Sequence, residues 1–359
     1  MINFEVIKEF KSEADKIGQI SDNKFLFMYN QYFKIINLDD NSEIFRSDLA
    51  EMGFELNKYS EIKYFNHSNF QNFYVLKNED LLLWTGMILF YYKKEENKYI
   101  LYQSFNQFNE EEKPGLFQNY INNVLELDND SFITCNTFGI RIYKKKNNKY
   151  NLVQKIKIFL EVYDCFKINQ DLLLLVNYKD TTINSLEHNH SFAISLFDMK
   201  TNNVNIIYKK EIHLQNPDYI KIFDFFLEDK LYFQFHPVKS TICKATNGGL
   251  YFEFMDNEKK ELNILDIKRK KRLEITSNYK IPNHYKNNLF FCEKNNQIIL
   301  CSIQNNNIIP VYEFKIKESE AYYCGKYQSA NKKKMICLLK NNNIIIYEQK
   351  GNASIFRQI

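Results

Sequence analysis

Glycine and proline, which most β-rich proteins use to close their turns, are scarce in this chain. Its 359 residues include 9 glycines and 5 prolines. No segment rich in Pro, Gly or Ser divides the chain, so we predict a single domain over residues 1–359. Asparagine stands between apolar runs instead, as at residues 305–307 and 341–343. Because asparagine tolerates the left-handed backbone conformation and bonds to its own backbone, we expect it to close turns.

Closely spaced cysteine pairs are missing as well. The 7 cysteines include no Cys-x-x-Cys pair, and most lie inside strand-like apolar runs. Cys292 and Cys301 flank one predicted hairpin, but nothing in the sequence points to an oxidising compartment. We therefore expect buried, reduced thiols.

The sequence shows neither a targeting pattern nor a long apolar run. Residues 1–9 contain early acids and no apolar stretch, which argues against a secretory signal or transit peptide. The longest apolar run, residues 81–92, is interrupted at residues 84–86 and is too short and too strand-like to cross a bilayer. We expect an intracellular, cytoplasmic protein without a membrane span. Cytoskeletal, ciliary and nuclear locations stay open.

No charge of one sign dominates. The chain has 48 basic and 44 acidic residues, a formal charge of +4 and a pI near 8.4, which is weaker than a dedicated nucleic-acid binder usually shows. The basic run at residues 268–272 fits a nuclear-import or phosphate-binding patch, but we favour a solvated hairpin turn. Residues 144–146 and 332–334 receive the same interpretation. Abundant Lys, Asn, Ile, Phe and Tyr are typical of an AT-rich eukaryotic genome, which weakens arguments from lysine-rich segments.

Local catalytic motifs are absent too. There is no Gly-x-Ser-x-Gly elbow, no His-Glu-x-x-His and no phosphate-binding glycine loop. Residues 187–190 (EHNH) have metal-ligand chemistry, yet no third ligand is recognisable and the segment is interpreted as a loop between repeats. We predict no catalytic residue, no metal and no cofactor. Enzymes that build a site around a central channel leave no local motif, so an enzyme stays an alternative.

What the sequence does contain is a repeated unit of short strands. Residues 80–84 (DLLLW) followed by 86–91 match residues 131–135 (SFITC) followed by 139–143, and residues 334–348 repeat the pattern. A repeat of roughly 40–60 residues made of short strands is the signature of a β-propeller. We predict an all-β chain of seven such units. Either residues 4–10 or residues 354–357 would pair with the last unit and close the ring.

Some segments depart from the repeat. The fifth unit has a surplus strand, and the pattern leaves open whether residues 249–254 or 261–266 belong to its main sheet. Weak helical periodicity occurs only at residues 10–16 and 115–123. Four segments look like loops longer than a propeller needs and therefore like candidates for binding: residues 106–119, 178–190, 236–248 and 277–288.

The units resemble the WD-repeat-like propellers. Residues 262–275 have that family's apolar-x-apolar-aliphatic-Asp strand, a basic turn and an outer strand, and residues 194–201 repeat the first part. The chain lacks the Trp-Asp and Gly-His dipeptides, since its one tryptophan is Trp84. The resemblance implies a seven-bladed propeller with irregular blade-linking loops, without the family's buried His–Asp network, that acts as a scaffold.

The functional prediction is thus a non-catalytic interaction scaffold, a structural subunit of a larger multiprotein assembly. Its partners would be other protein subunits, with no small-molecule substrate and with nucleic acid possible but not favoured. Two alternatives remain: an enzyme with its site at the mouth of the central channel, and an RNA-associated propeller in a ribonucleoprotein.

Overall fold

The chain folds entirely from β-strands in the part that the structure describes. The computed structural model describes residues 3–21, 23–49, 69–86, 88–96, 98–106, 120–158, 160–184, 187–215, 219–227, 229–241, 251–254, 260–269, 271–277, 280–286, 289–294, 297–304, 307–314, 321–324, 334–339 and 343–350. These residues contain 29 strands and no helix. The predicted all-β class is confirmed.

The described strands form seven antiparallel sheets. In chain order, the first three sheets are β2 (Lys16–Gln19), β3 (Lys24–Met28), β4 (Tyr32–Asn37) and β5 (Glu43–Asp48); β6 (Asn72–Val75), β7 (Leu81–Trp84), β8 (Ile88–Glu95) and β9 (Lys98–Asn106); and β10 (Ile121–Asp128), β11 (Ser131–Asn136), β12 (Gly139–Lys146) and β13 (Lys149–Lys157). The fourth and fifth are β14 (Glu161–Lys167), β15 (Leu172–Asn184), β16 (Glu187–Asp198) and β17 (Asn203–Gln215); and β18 (Tyr219–Leu227), β19 (Lys230–Thr241), β20 (Tyr251–Phe254), β21 (Lys260–Asp266) and β22 (Lys271–Ser277).

The last two sheets differ in how they are completed. The sixth consists of β23 (Lys280–Lys286), β24 (Leu289–Lys294), β25 (Gln297–Gln304) and β26 (Asn307–Glu313). The seventh has β27 (Ala321–Cys324), β28 (Lys334–Leu339), β29 (Asn343–Lys350) and the N-terminal β1 (Asn3–Lys11). β1 lies antiparallel to β29, from Asn3 opposite Lys350 to Lys11 opposite Asn343. The predicted pairing of residues 4–10 with the last unit is confirmed, and residues 354–357 lie outside the described part.

Each sheet shares a buried apolar cluster with the sheet before it and the sheet after it. Phe33 and Phe90 belong to the cluster between sheets β2–β5 and β6–β9, and Trp84 and Phe132 belong to the next one. The described residues contain seven such clusters. One of them combines Phe25 of sheet β2–β5 with Ile344 of β29, so the first and last sheets of the chain also touch.

Packing on both sides of each sheet explains why the strands are apolar at consecutive positions. On β7, Leu81 and Leu83 belong to the cluster with sheet β2–β5, whereas Leu82 belongs to the cluster with sheet β10–β13. All three side chains are fully buried. A sheet that faces water on one side would alternate apolar and polar residues instead.

Asparagine closes some of the described turns, as expected, whereas Glu79, Glu96 and Asp229 take positive φ angles in others. The runs at residues 305–307 and 341–343 lie largely outside the described part. Asn147 and Asn148, between β12 and β13, have φ angles of 52° and 62°, both positive as a type I′ turn requires. Asn41 and Asn202 have positive φ angles in two other hairpins. A glycine is needed at Gly139, where φ is 126° and a Cβ atom would lie 1.9 Å from the carbonyl oxygen of Ile156.

Several sequence-based assignments were wrong. The helical periodicity at residues 10–16 is not a helix, because β1 extends to Lys11 and β2 begins at Lys16. Residues 121–123 belong to β10, while residues 115–119 lie outside the described part. In the fifth unit, β19 pairs with β21 along the main sheet and β20 pairs with β19 off that path, which answers the open question.

Two predicted loops are strands. Residues 178–184 and 187–190 belong to the long hairpin of β15 and β16, and residues 280–286 form β23. Residues 236–241 continue β19, and residues 242–248 lie outside the described part, as do residues 107–119. These strands could not be recognised from the sequence, because their residues are mostly polar and form no apolar pattern.

Candidate functional site

Each sheet has at one edge a strand with exposed side chains among its described residues. We call these the outer strands: β1, β5, β9, β13, β17, β22 and β26. Large apolar side chains project into solvent from six of them: Val6 and Ile7, Ile100 and Tyr102, Leu152 and Val153, Val204 and Ile206, Leu273, and Ile309. An edge strand also has unpaired N–H and C=O groups, so apolar side chains there favour contact with another chain.

A β-bulge occurs in six of the outer strands, and five of these six also expose the apolar side chains named above. In each case one residue of the outer strand has no partner on the neighbouring strand; these residues are Ile7, Ile44, Tyr102, Val153, Ile207 and Val311. All six are apolar or aromatic. In four hairpins the bulge lies the same number of residue pairs from the turn. Their first strands end at Glu95, Lys146, Asp198 and Gln304. A bulge increases local twist and redirects side chains, and the structure therefore repeats this device from sheet to sheet.

The hairpin of β12 and β13 concentrates positive charge. Residues 139–157 include one arginine and six lysines and no Asp or Glu. Lys144, Lys146 and Lys149 are exposed. Residues 144–146 form the end of β12, so our assignment of this run to a turn was wrong. The turn itself is Asn147 and Asn148.

The free edge of β13 already bonds to one amide. The side-chain amide of Gln103 donates to the carbonyl oxygen of Tyr150 at 2.7 Å and accepts from the Tyr150 N–H at 3.0 Å. Gln103 lies on β9 of the neighbouring sheet. Its carboxamide makes the two bonds that the N–H and C=O groups of one residue in an added strand would make.

The basic run at residues 268–272 has partners in its own sheet. Lys268 pairs with Asp229 at 2.6 Å, and the Arg269 N–H donates to Asp266 at 2.8 Å. The Arg272 guanidinium donates to the side-chain oxygen of Asn263 at 2.9 Å. These contacts agree with the interpretation of this run as part of a solvated hairpin. Lys332 and Lys333, in the third basic run, lie outside the described residues.

Two carboxylates lie where the first strands of adjacent sheets meet. Asn122 on β10 donates to Glu161 Oε1 at 2.8 Å and to the carbonyl oxygen of Val162 at 3.0 Å. Asn123 donates to Asp164, which is buried. Burial raises the pKa of Glu161, and the Asn122 hydrogen bond lowers it by less. Glu161 is thus the group that an enzymatic alternative would use.

The histidine segment at residues 187–190 lies on β16. His190 is fully buried, and its Nδ1 lies 2.5 Å from the hydroxyl oxygen of Tyr178, whose ring stacks on the imidazole. This contact occupies one of the two ring nitrogens that could bind a metal. Within the described ranges, no three His, Cys, Asp or Glu side chains converge on a possible metal position.

Four of the seven cysteines have described side chains, and these four are buried free thiols. Cys135 and Cys165 meet across two sheets, with their sulfur atoms 2.9 Å apart, and Cys292 and Cys301 lie on neighbouring strands. None of the four forms a disulfide. Burial, followed by the contact with Cys301, raises the pKa of the Cys292 thiol, which makes it a weak nucleophile.

No known protein family and no curated protein sequence matches this chain. Among the described residues there is no helix with the length and apolar character that crossing a membrane requires. The proposals below therefore rest on the geometry of the chain itself.

Proposed function

We propose that this protein is a closed seven-bladed β-propeller that serves as a non-catalytic scaffold in a multiprotein assembly. The closed ring is supported by the number of sheet contacts. Seven sheets in an open stack share six interfaces, whereas the described residues contain seven apolar clusters, including the one between Phe25 and Ile344. The pairing of β1 with β29 joins the two chain ends in one sheet, as ring closure requires.

The observation that carries the scaffold proposal is the repeated apolar exposure of the outer strands. Val6, Val153 and Ile206 are 54%, 52% and 54% exposed. Isolated exposed apolar residues are common on any protein surface. Here they recur at the outer strand of six sheets, and five of these strands also carry a bulge. A surface that offers both unpaired backbone groups and apolar side chains suits partner proteins rather than a small substrate.

Two measurements test the proposal. Single-particle electron microscopy of the purified protein should show a disc with a central hole; an open stack of sheets would refute the closed ring. Affinity purification of the tagged protein from its native cells at moderate salt, followed by mass spectrometry, should recover a stoichiometric set of partners. Recovery of the protein alone would refute the scaffold function.

A variant locates the interaction surface. Ile206→Asp adds a charge at an outer-strand position that is 54% exposed, so the fold should persist while outer-strand partners are lost. The control is Lys98→Asp on β9, which changes charge at an exposed position without removing an apolar side chain. Replacing residues 107–119 by a short Gly/Ser linker tests the predicted binding loop at residues 106–119, most of which lies outside the described part. The same replacement at residues 277–288 would remove β23 and would not test binding.

A further inference from the structure

We propose that the free edge of β13 binds an acidic, extended segment of a partner protein, which adds to sheet β10–β13 as a further strand. This inference rests on the proposed scaffold function and names the chemistry of one partner segment. It is argued from the charge of the β12–β13 hairpin, from the geometry of its free edge and from its exposed apolar residues.

Charge is the first argument. The hairpin has seven basic residues and no acidic one. Across the ladder Lys146 lies directly opposite Lys149. Like charges opposite each other destabilise an antiparallel pair. Acids near the hairpin include Asp128 at the β10–β11 turn, whose carboxylate interacts with the charge of Lys144, and Asp80 of the neighbouring sheet, whose charge acts on Tyr150. At the hairpin tip Lys146 and Lys149 make no ion pair with described residues, so an acidic partner would relieve this repulsion.

The backbone of the free edge is the second argument. In an antiparallel ladder, alternate residues direct their N–H and C=O groups away from the neighbouring strand. Tyr150 does so, because the Gln103 amide takes up both of its groups. Leu152, two positions further along β13, directs its peptide groups to the same side. A partner strand that begins beside Gln103 would continue the same bonding pattern along β13.

Exposed apolar side chains supply the third argument. Leu152 and Val153 are 40% and 52% exposed, and they lie between basic residues on the same strand. A partner strand directs alternate side chains to opposite faces. The segment that fits β13 is therefore one in which acidic and apolar residues alternate, so that apolar residues lie against Leu152 and acids lie against the lysines.

Two competing occupants suit the edge of β13 less well than an acidic strand does. A second copy of this chain would bring two basic edges together, which like charges oppose. Single-stranded RNA needs exposed rings for stacking, whereas Tyr150, the one aromatic residue of β13, is buried. Lysines also protect edge strands from unwanted pairing. However, the outer strand β26 contains no lysine although it exposes Ile309, so protection of this kind is not a general feature of the outer strands.

The test measures binding of a synthetic peptide by fluorescence anisotropy. The probe is a fluorescein-labelled nine-residue peptide, the length of β13, with glutamate alternating with valine or threonine. Three comparison probes are a peptide with lysine in place of glutamate, a peptide with N-methylated alternate amides, and oligouridine. The variant is Lys146→Glu/Lys149→Glu. The matched control is Lys93→Glu/Lys98→Glu at the tip of the β8–β9 hairpin, where Glu95 lies opposite Lys98.

We expect the acidic peptide to bind and the lysine peptide not to bind. Loss of two charge contacts should weaken binding by about tenfold or more in the β12–β13 variant, and by less than about twofold in the control. N-methylation should abolish binding, because it removes the donors that an added strand requires. Failure of the acidic peptide to bind, or equal binding by both variants, would overturn the proposal. Tighter binding of oligouridine would replace it with an RNA-binding surface.

Co-purification separates this proposal from the scaffold function. If the Lys146→Glu/Lys149→Glu protein recovers every partner of the wild type, the scaffold stands and the β13 site is wrong. If the variant loses one partner and keeps the others, both proposals are supported. If the wild type recovers no partner, the scaffold function is wrong whatever the peptide does.

Discussion

Tyr150 and Ile156 lie on opposite faces of their sheet, although their spacing on β13 would place them on the same face of a regular strand. Tyr150 packs in the cluster with sheet β6–β9, and Ile156 packs against the cluster with sheet β14–β17. The bulge at Val153 lies between them and shifts the alternation by one residue. The same change of face separates Tyr99 from Phe105 on β9, around the bulge at Tyr102. The bulge thus changes which residues of the outer strand face each neighbouring sheet.

Deleting Val153 should therefore destabilise the protein. Without the extra residue, the lysines that follow it would turn toward sheet β14–β17 and Ile156 would turn away from it. We expect a loss of about 2–4 kcal/mol in the free energy of unfolding, as for other disrupted core contacts. Urea unfolding followed by the fluorescence of Trp84, the one tryptophan of the chain, measures it. Val153→Thr keeps the bulge and should change stability by less than about 0.5 kcal/mol. Equal unfolding midpoints for the deletion and the wild type would contradict this role.

Much of this architecture could be predicted from local pattern. Runs such as residues 80–84 and 131–135 identify strands because inner strands are apolar at every position, and that pattern depends only on neighbouring residues. The pairing of residues 4–10 with the last unit could also be anticipated, since a ring needs a latch. The bulges could not. A bulge is defined by which residue lacks a partner across the ladder, and the residues at Val153 and Tyr102 look like ordinary strand residues in the sequence.

A substitution at Asn148 tests whether asparagine takes the place of glycine in these turns. Asn148 has a φ angle of 62° in the turn between β12 and β13. Asn148→Ala should lower the free energy of unfolding by about 1 kcal/mol, because a Cβ without a compensating polar group is strained in this conformation. Asn148→Gly should be neutral or slightly stabilising. Thermal unfolding of the two variants beside the wild type measures the difference. Equal effects of alanine and glycine would show that the backbone conformation at Asn148 does not matter.

The candidate site was harder to predict than the fold. The lysines at residues 144–146 were visible, but their significance depends on Lys146 facing Lys149 across a ladder that ends in the edge strand β13. The bond between Gln103 and Tyr150 joins different sheets and has no local signal in the sequence. Conversely, the more conspicuous run at residues 268–272 is paired with Asp229 and Asp266. Both runs were interpreted from the sequence as solvated hairpin turns, so charge density alone did not distinguish the two hairpins.

Stability should depend on pH through Glu161. Burial raises the pKa of this carboxyl above its ordinary value of 4.5, so the folded state holds the proton more tightly than the unfolded state does. Below pH 4.5 both states are protonated and burial of the group has no electrostatic cost. As the pH rises through 4.5 toward the raised pKa, the cost of the buried carboxylate appears and stability falls.

Glu161→Gln removes that cost and still offers an oxygen to Asn122. We expect the variant to be more stable than the wild type at neutral pH and equal to it at acidic pH, in urea unfolding at both values. Glu95→Gln, at an exposed position, serves as the control and should show no such difference. A variant that is less stable at neutral pH would mean that the ionised carboxylate is favourable where it lies. That result would strengthen the enzyme alternative, since the fold would then be holding a charge in place.

The contribution of β1 to ring closure can be measured at Phe4. This residue is 5% exposed and packs against Tyr312 and Phe314, with ring centroids 5.3 Å and 5.0 Å apart. It brings the N-terminal strand into the cluster between the sixth and seventh sheets. Phe4→Ala should cost about 3–5 kcal/mol, as for other buried aromatic residues. Ile7→Ala on the same strand, at a position that is 38% exposed, should cost less than about 0.5 kcal/mol. If β1 closes the ring, Phe4→Ala should shift one cooperative transition of the whole protein, because opening one interface frees both of its sheets. A separate early transition, with the main one unchanged, would show that β1 is an appendage that the remaining sheets do not need.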